Sequence, residues 1–434
     1  MPNVKKYITD ILKIAAPIMM GNIGFIMIGV GDVIVAGRHS TDTLAAISLA
    51  AAITNCLTMF GIGILASISS ILANYRGEGK DAKTYFFPTL KFAAILAVIT
   101  CTAILLCIPI IDNIGFEPKL VPMIKDYFFI TAFATFGGYL HCMAKEFLQS
   151  FEIVIFPNLV SIFSIFLNLI LNIIFVFGWW GIPEMGAVGL ALSSFFVRFF
   201  MGIVVYIYAI KKLKVGTNRD YNYFKDLLKV GMPSSVAIMI EFIGFNAISV
   251  ILGRVAGIYA AAHNILTTLT SVSFMIPFSI SIATSVKVGY SNGAKNYNDL
   301  KIYAKSGLCM CVGIMLISAL IIGLCPEFLV NLFTIDMELV KTCLPVVTIL
   351  CYFQVFDGLQ VALSGIFRGL KKTYLVMISN FIGYWLISFP LGYYLGIYRR
   401  MYLEGFWLGI IVAATVLCGI MLSLLYKDFK KLEA

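Results

Sequence analysis

Apolar runs of spanning length recur from one end of this chain to the other, parted only by short polar breaks. An α-helix needs roughly 20 apolar residues to cross about 30 Å of hydrocarbon, and run after run meets that requirement. Within lipid every backbone N–H and C=O must find its partner in the protein, which leaves helices and closed β-barrels as the permitted spanning structures. Period-two alternation between turn signals, the mark of a barrel strand, is absent. An all-α membrane protein is therefore expected. Composition agrees: of 434 residues, 60% are apolar and 12% charged, and mean hydropathy is +0.96. That is more apolar surface than a soluble domain of this size buries.

The runs predict about twelve transmembrane helices, centred near Gly24, Thr58, Val98, Ala134, Phe166, Phe199, Ile240, Ser271, Met315, Val355, Tyr384 and Ala414. Their connections are too short to hold an extramembrane domain, and the first run is too long for a cleavable signal. The net charge of +10 would point to nucleic acid in a soluble protein. Here the basic residues sit at helix ends, so they report orientation and no nucleic-acid partner is expected. The side that carries the N-terminus collects Arg76, Lys80, Lys83 and Lys91, then Lys211, Lys212, Lys214, Arg219, Lys225 and Lys229, and more toward the C-terminus. The opposite side has only Arg38, Lys119, Lys125, Arg254, Lys341, Arg399 and Arg400. This bias predicts that both termini lie in the cytoplasm, in keeping with an even number of spans. The ten cysteines are scattered without a CxxC frame, and neither disulfides nor a structural metal is expected.

Sliding the chain along itself reveals a duplication. When Lys13 and Pro17 fall on Lys229 and Pro233, Gly37–Arg38 fall on Gly253–Arg254, Ala45–Ala46 on Ala261–Ala262, and Gly189 on Gly405, without a gap. Two lobes follow, residues 1–215 and 216–434, each of six helices. Repeats with an even helix count keep one orientation, so a pseudo-twofold axis along the membrane normal is expected, as in transporters of the parallel-repeat kind.

Ionisable residues within the bilayer cost roughly 2.5–3.5 kcal/mol each on insertion scales and mark function by default. Asp32, Glu241, Asp357 and Arg198 are of this kind. Glu241 lies about 18 Å along a helix from Lys229, and Asp357 about 17 Å from Arg368, at 1.5 Å per residue. Both therefore sit near the midplane of the second lobe, with no Lys or Arg at their level. Two such carboxylates need a cation or a proton between them. In the tenth span Phe353, Asp357, Gln360 and Ser364 share one face, and Gln354 reaches the same side. In the eighth, His263, Thr267, Thr270, Ser271 and Phe274 form a similar stripe, which fits either oxygen ligation or ordinary interhelical bonding. Oxygen donors of this type suit Na⁺ held by Glu241 and Asp357, while paired acids also shuttle H⁺. Asp32 lies about 28 Å up the first span from Lys13. It is either a third cation-binding acid or a snorkelling partner for Arg38. His39 and His141 read as interfacial or packing residues. Gly61-Ile62-Gly63 lacks the strand–turn–helix setting of a nucleotide loop, no Walker motif exists, and no cofactor is expected beyond the coupling ion.

With these residues in view, the chain resembles the MATE (multidrug and toxic-compound extrusion) family, in its NorM-type bacterial branch. The resemblance rests on Pro17 through Gly31-Asp32-Val33-Ile34-Val35-Ala36-Gly37, on Gly231-Met232-Pro233 with Glu241-Phe242, and on Ala261-Ala262-His263-Asn264. It continues through Asp357-Gly358-Leu359-Gln360 and Phe367-Arg368-Gly369 to Tyr384-Trp385, Pro390-x-Gly392-Tyr393 and Gly405-Phe406-Trp407-Leu408-Gly409. It implies two six-helix lobes and extrusion of organic cations driven by entry of Na⁺ or H⁺. It further implies that Glu241 and Asp357 form the cation site of the second lobe, and that Asp32 is the protonatable group of the first. The chain departs from the family at Phe353, where the family places a tyrosine. A lost hydroxyl ligand shifts the balance toward proton coupling.

The expectation is thus a secondary active transporter, acting as a monomer, that exchanges cationic or amphiphilic drugs for an inward ion. A lipid-linked saccharide flippase of the same superfamily would take an anionic substrate and calls for a basic cleft, whereas the central charges here are mostly acidic. An integral-membrane enzyme would need catalytic clusters in loops, and the loops here are short.

Overall fold

The computed structural model describes residues 4–218 and 220–432, with side chains described for all of these except Phe25 and Tyr221. Arg219, counted above among the basic residues, lies outside the described residues. Among the described residues there are helices and turns and no strand. In chain order the long helices are α1 (Val4–His39), α2 (Thr41–Gly77), α3 (Ala82–Asn113), α4 (Val121–Ser150), α5 (Ile155–Phe177) and α6 (Gly186–Leu213). The second set is α7 (Tyr221–Val255), α8 (Gly257–Gly293), α9 (Tyr297–Leu324), α10 (Met337–Gly369), α11 (Thr373–Tyr398) and α12 (Tyr402–Lys431).

Of these, 11 are long and apolar enough to cross a membrane on length and composition alone. The remaining one, α4, spans 30 residues but carries Thr131, Thr135, Gly137, Gly138, Tyr139 and His141 along its middle. Thr131, Thr135 and Tyr139 are buried by protein, so lipid need not accept them. The twelve-helix layout stands. Large apolar side chains such as Ile99, Leu106, Phe166, Leu320 and Leu324 remain exposed, as a surface that faces hydrocarbon requires.

Helix ends and interruptions have local causes. Ser40 caps α2 by accepting from the Thr43 N–H at 3.0 Å, and Gly178, at φ 72°, ends α5 in the left-handed region. Pro17, Pro233, Pro277 and Pro345 lie inside helices, each removing one i→i−4 bond. In α11 the chain winds wide, with π-helical turns over Phe381–Ser388 and Tyr394–Tyr398 on either side of Pro390. Such turns rotate the side chains that follow relative to a 3.6-residue helix.

The chain divides into two compact units: Met1–Ala16 with Val236–Ala434, and Pro17–Ser235. They differ from the repeat halves 1–215 and 216–434 by an exchange of leading segments, since α1 and α7 each begin in one unit and continue in the other. The breaks fall beside Pro17 and Pro233, a repeat-related pair. Tyrosine–aspartate bonds fix the exchanged segments. In the first unit Tyr303 donates to Asp10 at 3.0 Å and Tyr7 to Asp299 at 2.6 Å. In the second, Tyr75 donates to Asp226 at 3.0 Å and Tyr85 to Asp220 at 2.9 Å. Asp10 and Asp226 occupy equivalent repeat positions, as do Tyr7 and Tyr223.

Lipid tails are as apolar as leucine, so helices inside a membrane associate through close packing of small residues. The first-named unit shows this where α11 meets α12. Gly392-x-x-x-Gly396 faces Gly405-x-x-x-Gly409, and a Cβ on Gly405 would stand 2.5 Å from the Gly396 nitrogen. A Cβ on Gly409 would stand 2.8 Å from the Gly392 nitrogen. Against this tight pair pack Phe406 and Trp407, both fully buried.

Candidate functional site

The intramembrane acids form two groups, one in each compact unit. In the unit built on Val236–Ala434, Glu241 comes from α7, Asp357, Gln360, Gln354 and Phe353 from α10, and Tyr384 from the wide turns of α11. Gln360 donates to Glu241 Oε2 at 3.2 Å, and Tyr384 donates to Gln360 Oε1 at 3.1 Å. Asp357 is 3% exposed and lies near enough for Glu241 to act on it electrostatically. Among the described residues no basic group acts on either acid. Glu241 is tied to the amide–phenol bridge, and Asp357 stands beside it. As their spacing predicts, Phe353, Asp357 and Gln360 all face inward.

Aromatic rings cluster nearby on the same helices, Phe245 four residues after Glu241 and Phe353 four residues before Asp357. Phe245 lies 6.0 Å from Tyr384 and 6.2 Å from Phe353, centroid to centroid, and Trp407 lies 5.7 Å from Phe353 and 5.8 Å from His263. His263 is buried with Nε2 3.2 Å from the Phe245 carbonyl oxygen. Several buried polar atoms of this region have no hydrogen-bond partner among the described residues: both amide atoms of Gln354, Nδ1 of His263 and Nε1 of Trp407. Buried polar groups without partners carry a desolvation cost that a bound water or ion relieves. Two carboxyls, two glutamine amides and a phenol supply the hard oxygen donors that Na⁺ accepts, and the carboxyls alone accept a proton.

The eighth-span stripe behaves differently. Thr267 donates to the His263 carbonyl at 2.9 Å, and Thr270 and Ser271 both donate to Thr267 O, at 2.8 and 2.7 Å. Their hydroxyl protons are spent on their own helix, the common behaviour of Ser and Thr in spans. Of that stripe only His263 reaches the aromatic cluster, by ring contacts with Phe245 and Trp407.

In the unit Pro17–Ser235, Asp32 of α1 accepts from Asn172 Nδ2 at 2.7 Å and from Ser194 Oγ at 3.3 Å. Asn168, one turn before Asn172, accepts from the same amide at 3.1 Å and lies close enough to act on Asp32. Arg198 lies one turn beyond Ser194 on α6, and its charge acts on Asp32. Asp32 is thus seated among α5 and α6 residues, while Arg38 is exposed. His39 bridges Thr43 and Glu184 at 2.9 and 2.8 Å.

Sequence reasoning did not single out Tyr384, Trp407, Asn168, Asn172 or Ser194 as site residues. A signal existed for the asparagines: at i and i+4 in a helix whose other side chains are nearly all apolar, they share one face and need polar partners. For Tyr384 there was none, because its direction depends on the wide winding of α11.

A family profile described as MatE matches residues 17–174 and 233–394, once in each half. "Multidrug resistance protein NorM" of Photobacterium profundum is 28% identical over 440 residues, covering 98% of this chain and 96% of the relative. "Probable multidrug resistance protein NorM" of Bacillus licheniformis is 25% identical, covering 92% and 91%. Among solved structures, the outward-facing conformation of a multidrug resistance MATE family transporter of the MOP superfamily superposes with a TM-score of 0.89 at 18% identity, over 100% of this chain and 99% of that one. The eukaryotic MATE transporter AtDTX14 gives 0.87 at 17% identity, over 99% and 98%. At these identities the structures speak for the fold.

Proposed function

The chain belongs to the MatE family, and from that membership we propose that it is a multidrug efflux transporter of the inner membrane that exchanges organic cations for inward Na⁺ or H⁺. The observation that carries the reading is the Glu241–Gln360–Tyr384 bridge with Asp357 beside it, two acids without a basic partner among the described residues. The NorM relatives support the multidrug part. The acid pair supports the ion part, and the positive-inside bias supports cytoplasmic termini.

The coupling ion enters from outside, is held by Glu241 and Asp357, and stabilises the conformation with low affinity for the drug. Drug and ion thereby alternate. One inward charge is worth about 2.3 kcal/mol per 100 mV, and a tenfold ion gradient adds about 1.4 kcal/mol. Together they sustain roughly a several-hundred-fold gradient of a neutral substrate, and less for a cation that carries its own charge outward. Phe353, apolar and packed on Phe245 and Trp407, contributes no oxygen, which favours the proton as the driving ion.

The test is ethidium efflux from proteoliposomes with Na⁺ and pH gradients imposed separately. Glu241→Gln and Asp357→Asn should each abolish ion-driven efflux while the protein still inserts and folds. Efflux retained in both variants would defeat the assignment of these acids.

A further inference from the structure

The second half of α12 presents an outward face whose chemistry changes in order along the helix axis. Val412 and Val416 are exposed, and Gly419 follows, where a Cβ would meet nothing within 4 Å. Next come Leu422, Ser423 and Tyr426, the last 71% exposed, and then Lys427 and Lys430, both exposed. Spacings of three and four residues put these side chains on one side of the helix. From Gly419 to Lys427 the helix rises about 12 Å at 1.5 Å per residue, most of the roughly 15 Å depth of one hydrocarbon leaflet. A groove of about 580 Å³ is lined here by Leu422, Ser423, Tyr426, Lys427 and Lys430, a size that admits part of a small amphiphile.

The positive charge of this face is not spent within the protein. Asp428 is the acid of the turn, and Lys372, just before α11, holds it at 2.7 Å. Among the described residues no carboxylate pairs with Lys427 or Lys430. Their long side chains can lie along apolar surface and carry the ammonium groups to the headgroup level.

The repeat supplies an internal contrast. Lys427 and Lys430 correspond to Lys211 and Lys214 of α6, so a basic pair at the end of the sixth helix serves both copies, through the helix dipole and the positive bias of that side. The rest of the face differs. Gly419 corresponds to Ile203, whose exposed side chain fills the equivalent place, and Leu422 and Tyr426 correspond to Tyr206 and Ile210. Tyr206 lies against Phe86, ring centroids 5.5 Å apart. Of the two copies, only α12 sets an open notch and an exposed phenol beside its lysines.

We propose that this face of α12 binds one anionic phospholipid. An acyl chain lies along Val412 and Val416 and fills the notch at Gly419. Tyr426 sits at the level of the glycerol esters, where an amphipathic ring is favoured. Lys427 and Lys430, one turn apart, hold the phosphate of the headgroup. A phospholipid fits where a soluble anion does not, because the basic end of the face continues directly into the apolar stretch. The inference requires a chain that spans a membrane and is independent of which ion or drug it carries.

The experiment titrates the full chain in detergent with phosphatidylglycerol or with phosphatidylcholine of the same acyl chains, and native mass spectrometry counts the lipids bound. Wild type should bind one phosphatidylglycerol about tenfold or more tightly than phosphatidylcholine. At roughly fivefold per lysine, Lys427→Gln with Lys430→Gln should weaken that first lipid about tenfold or more. Lys211→Gln with Lys214→Gln should change it less than about twofold. Gly419→Leu keeps both lysines but fills the notch, at a position where the added side chain meets open space, and should weaken the lipid about fivefold. Equal losses in the two lysine pairs would reduce the effect to the general charge of that side and overturn the site. So would undiminished binding in Lys427→Gln with Lys430→Gln, or in Gly419→Leu. Displacement of the lipid by an equal concentration of inorganic phosphate would mark a site for soluble anions and overturn the assignment of a lipid.

Discussion

Replacing Tyr384 by phenylalanine removes one hydroxyl from the bridge to Glu241 and changes little else. That hydroxyl donates to Gln360 Oε1 at 3.1 Å, and Gln360 donates in turn to Glu241 Oε2 at 3.2 Å. Gln360 is 2% exposed, so its orphaned oxygen finds no bulk water in exchange. An acceptor left unpaired in this way costs about 1–3 kcal/mol. Should the amide turn to relieve that cost, Glu241 loses a bond of the charged kind, worth about 1.5–3 kcal/mol. On either course the arriving ion meets a carboxylate that is no longer held in place. At 1.4 kcal/mol per decade, the loss corresponds to about a five- to hundredfold weaker grip on the ion. The assay titrates the driving ion at fixed ethidium in proteoliposomes and reads the half-saturating concentration. Tyr384→Phe should raise it within that range and change the maximal rate less. An unchanged half-saturating concentration in folded, reconstituted Tyr384→Phe would refute the view that the bridge positions Glu241 for the ion.

Two further outcomes test the packing and the first acid site. Gly409→Leu forces a side chain into a space where even a Cβ would lie 2.8 Å from the Gly392 nitrogen. Overpacking of this kind typically costs about 1–3 kcal/mol, and the melting temperature in detergent should fall clearly, while Gly419→Ala, where a Cβ meets nothing within 4 Å, should leave it unchanged. Asn172→Leu removes the donor 2.7 Å from Asp32, a bond of about 1.5–3 kcal/mol. Drug-driven proton flux should drop about tenfold or more, and unaltered flux would show that Asp32 does not depend on its amide partner.

How much of this was legible in the sequence depends on the residue. Glu241 and Asp357 stood out because a charge in hydrocarbon is conspicuous and helical rise converts distance from the nearest lysine or arginine into depth. Phe353 and Gln360 followed from their spacing around Asp357. The threonine stripe was legible as a pattern but not as a role, because a hydroxyl in a helix can always turn back to its own carbonyls, and these do. Asn168 and Asn172 are less conspicuous because an amide carries no charge, although a buried amide in lipid poses nearly the same question. Tyr384 could not have been found from spacing, since the wide turns around Pro390 break the 3.6-residue geometry on which spacing relies. The repeat located the duplication but could not locate the exchange of leading segments. That exchange depends on bonds such as Tyr303–Asp10 and Tyr75–Asp226, between residues far apart in sequence.

The exchanged segments also bear on how the chain is made. Synthesis runs from the N-terminus, and domains generally fold as they become complete. The unit Pro17–Ser235 is continuous and closes once α7 has begun to emerge. The segment ending at Ala16 is made before that unit, yet its partners, Asp299 and Tyr303 among them, are made long afterwards. The start of α1 must therefore wait, inserted but unfastened, through most of translation. A ribosome that stalls or terminates near mid-chain would release one finished bundle with a loose leading segment, and a gene split at residue 215 would yield two fragments, neither holding all of its own unit.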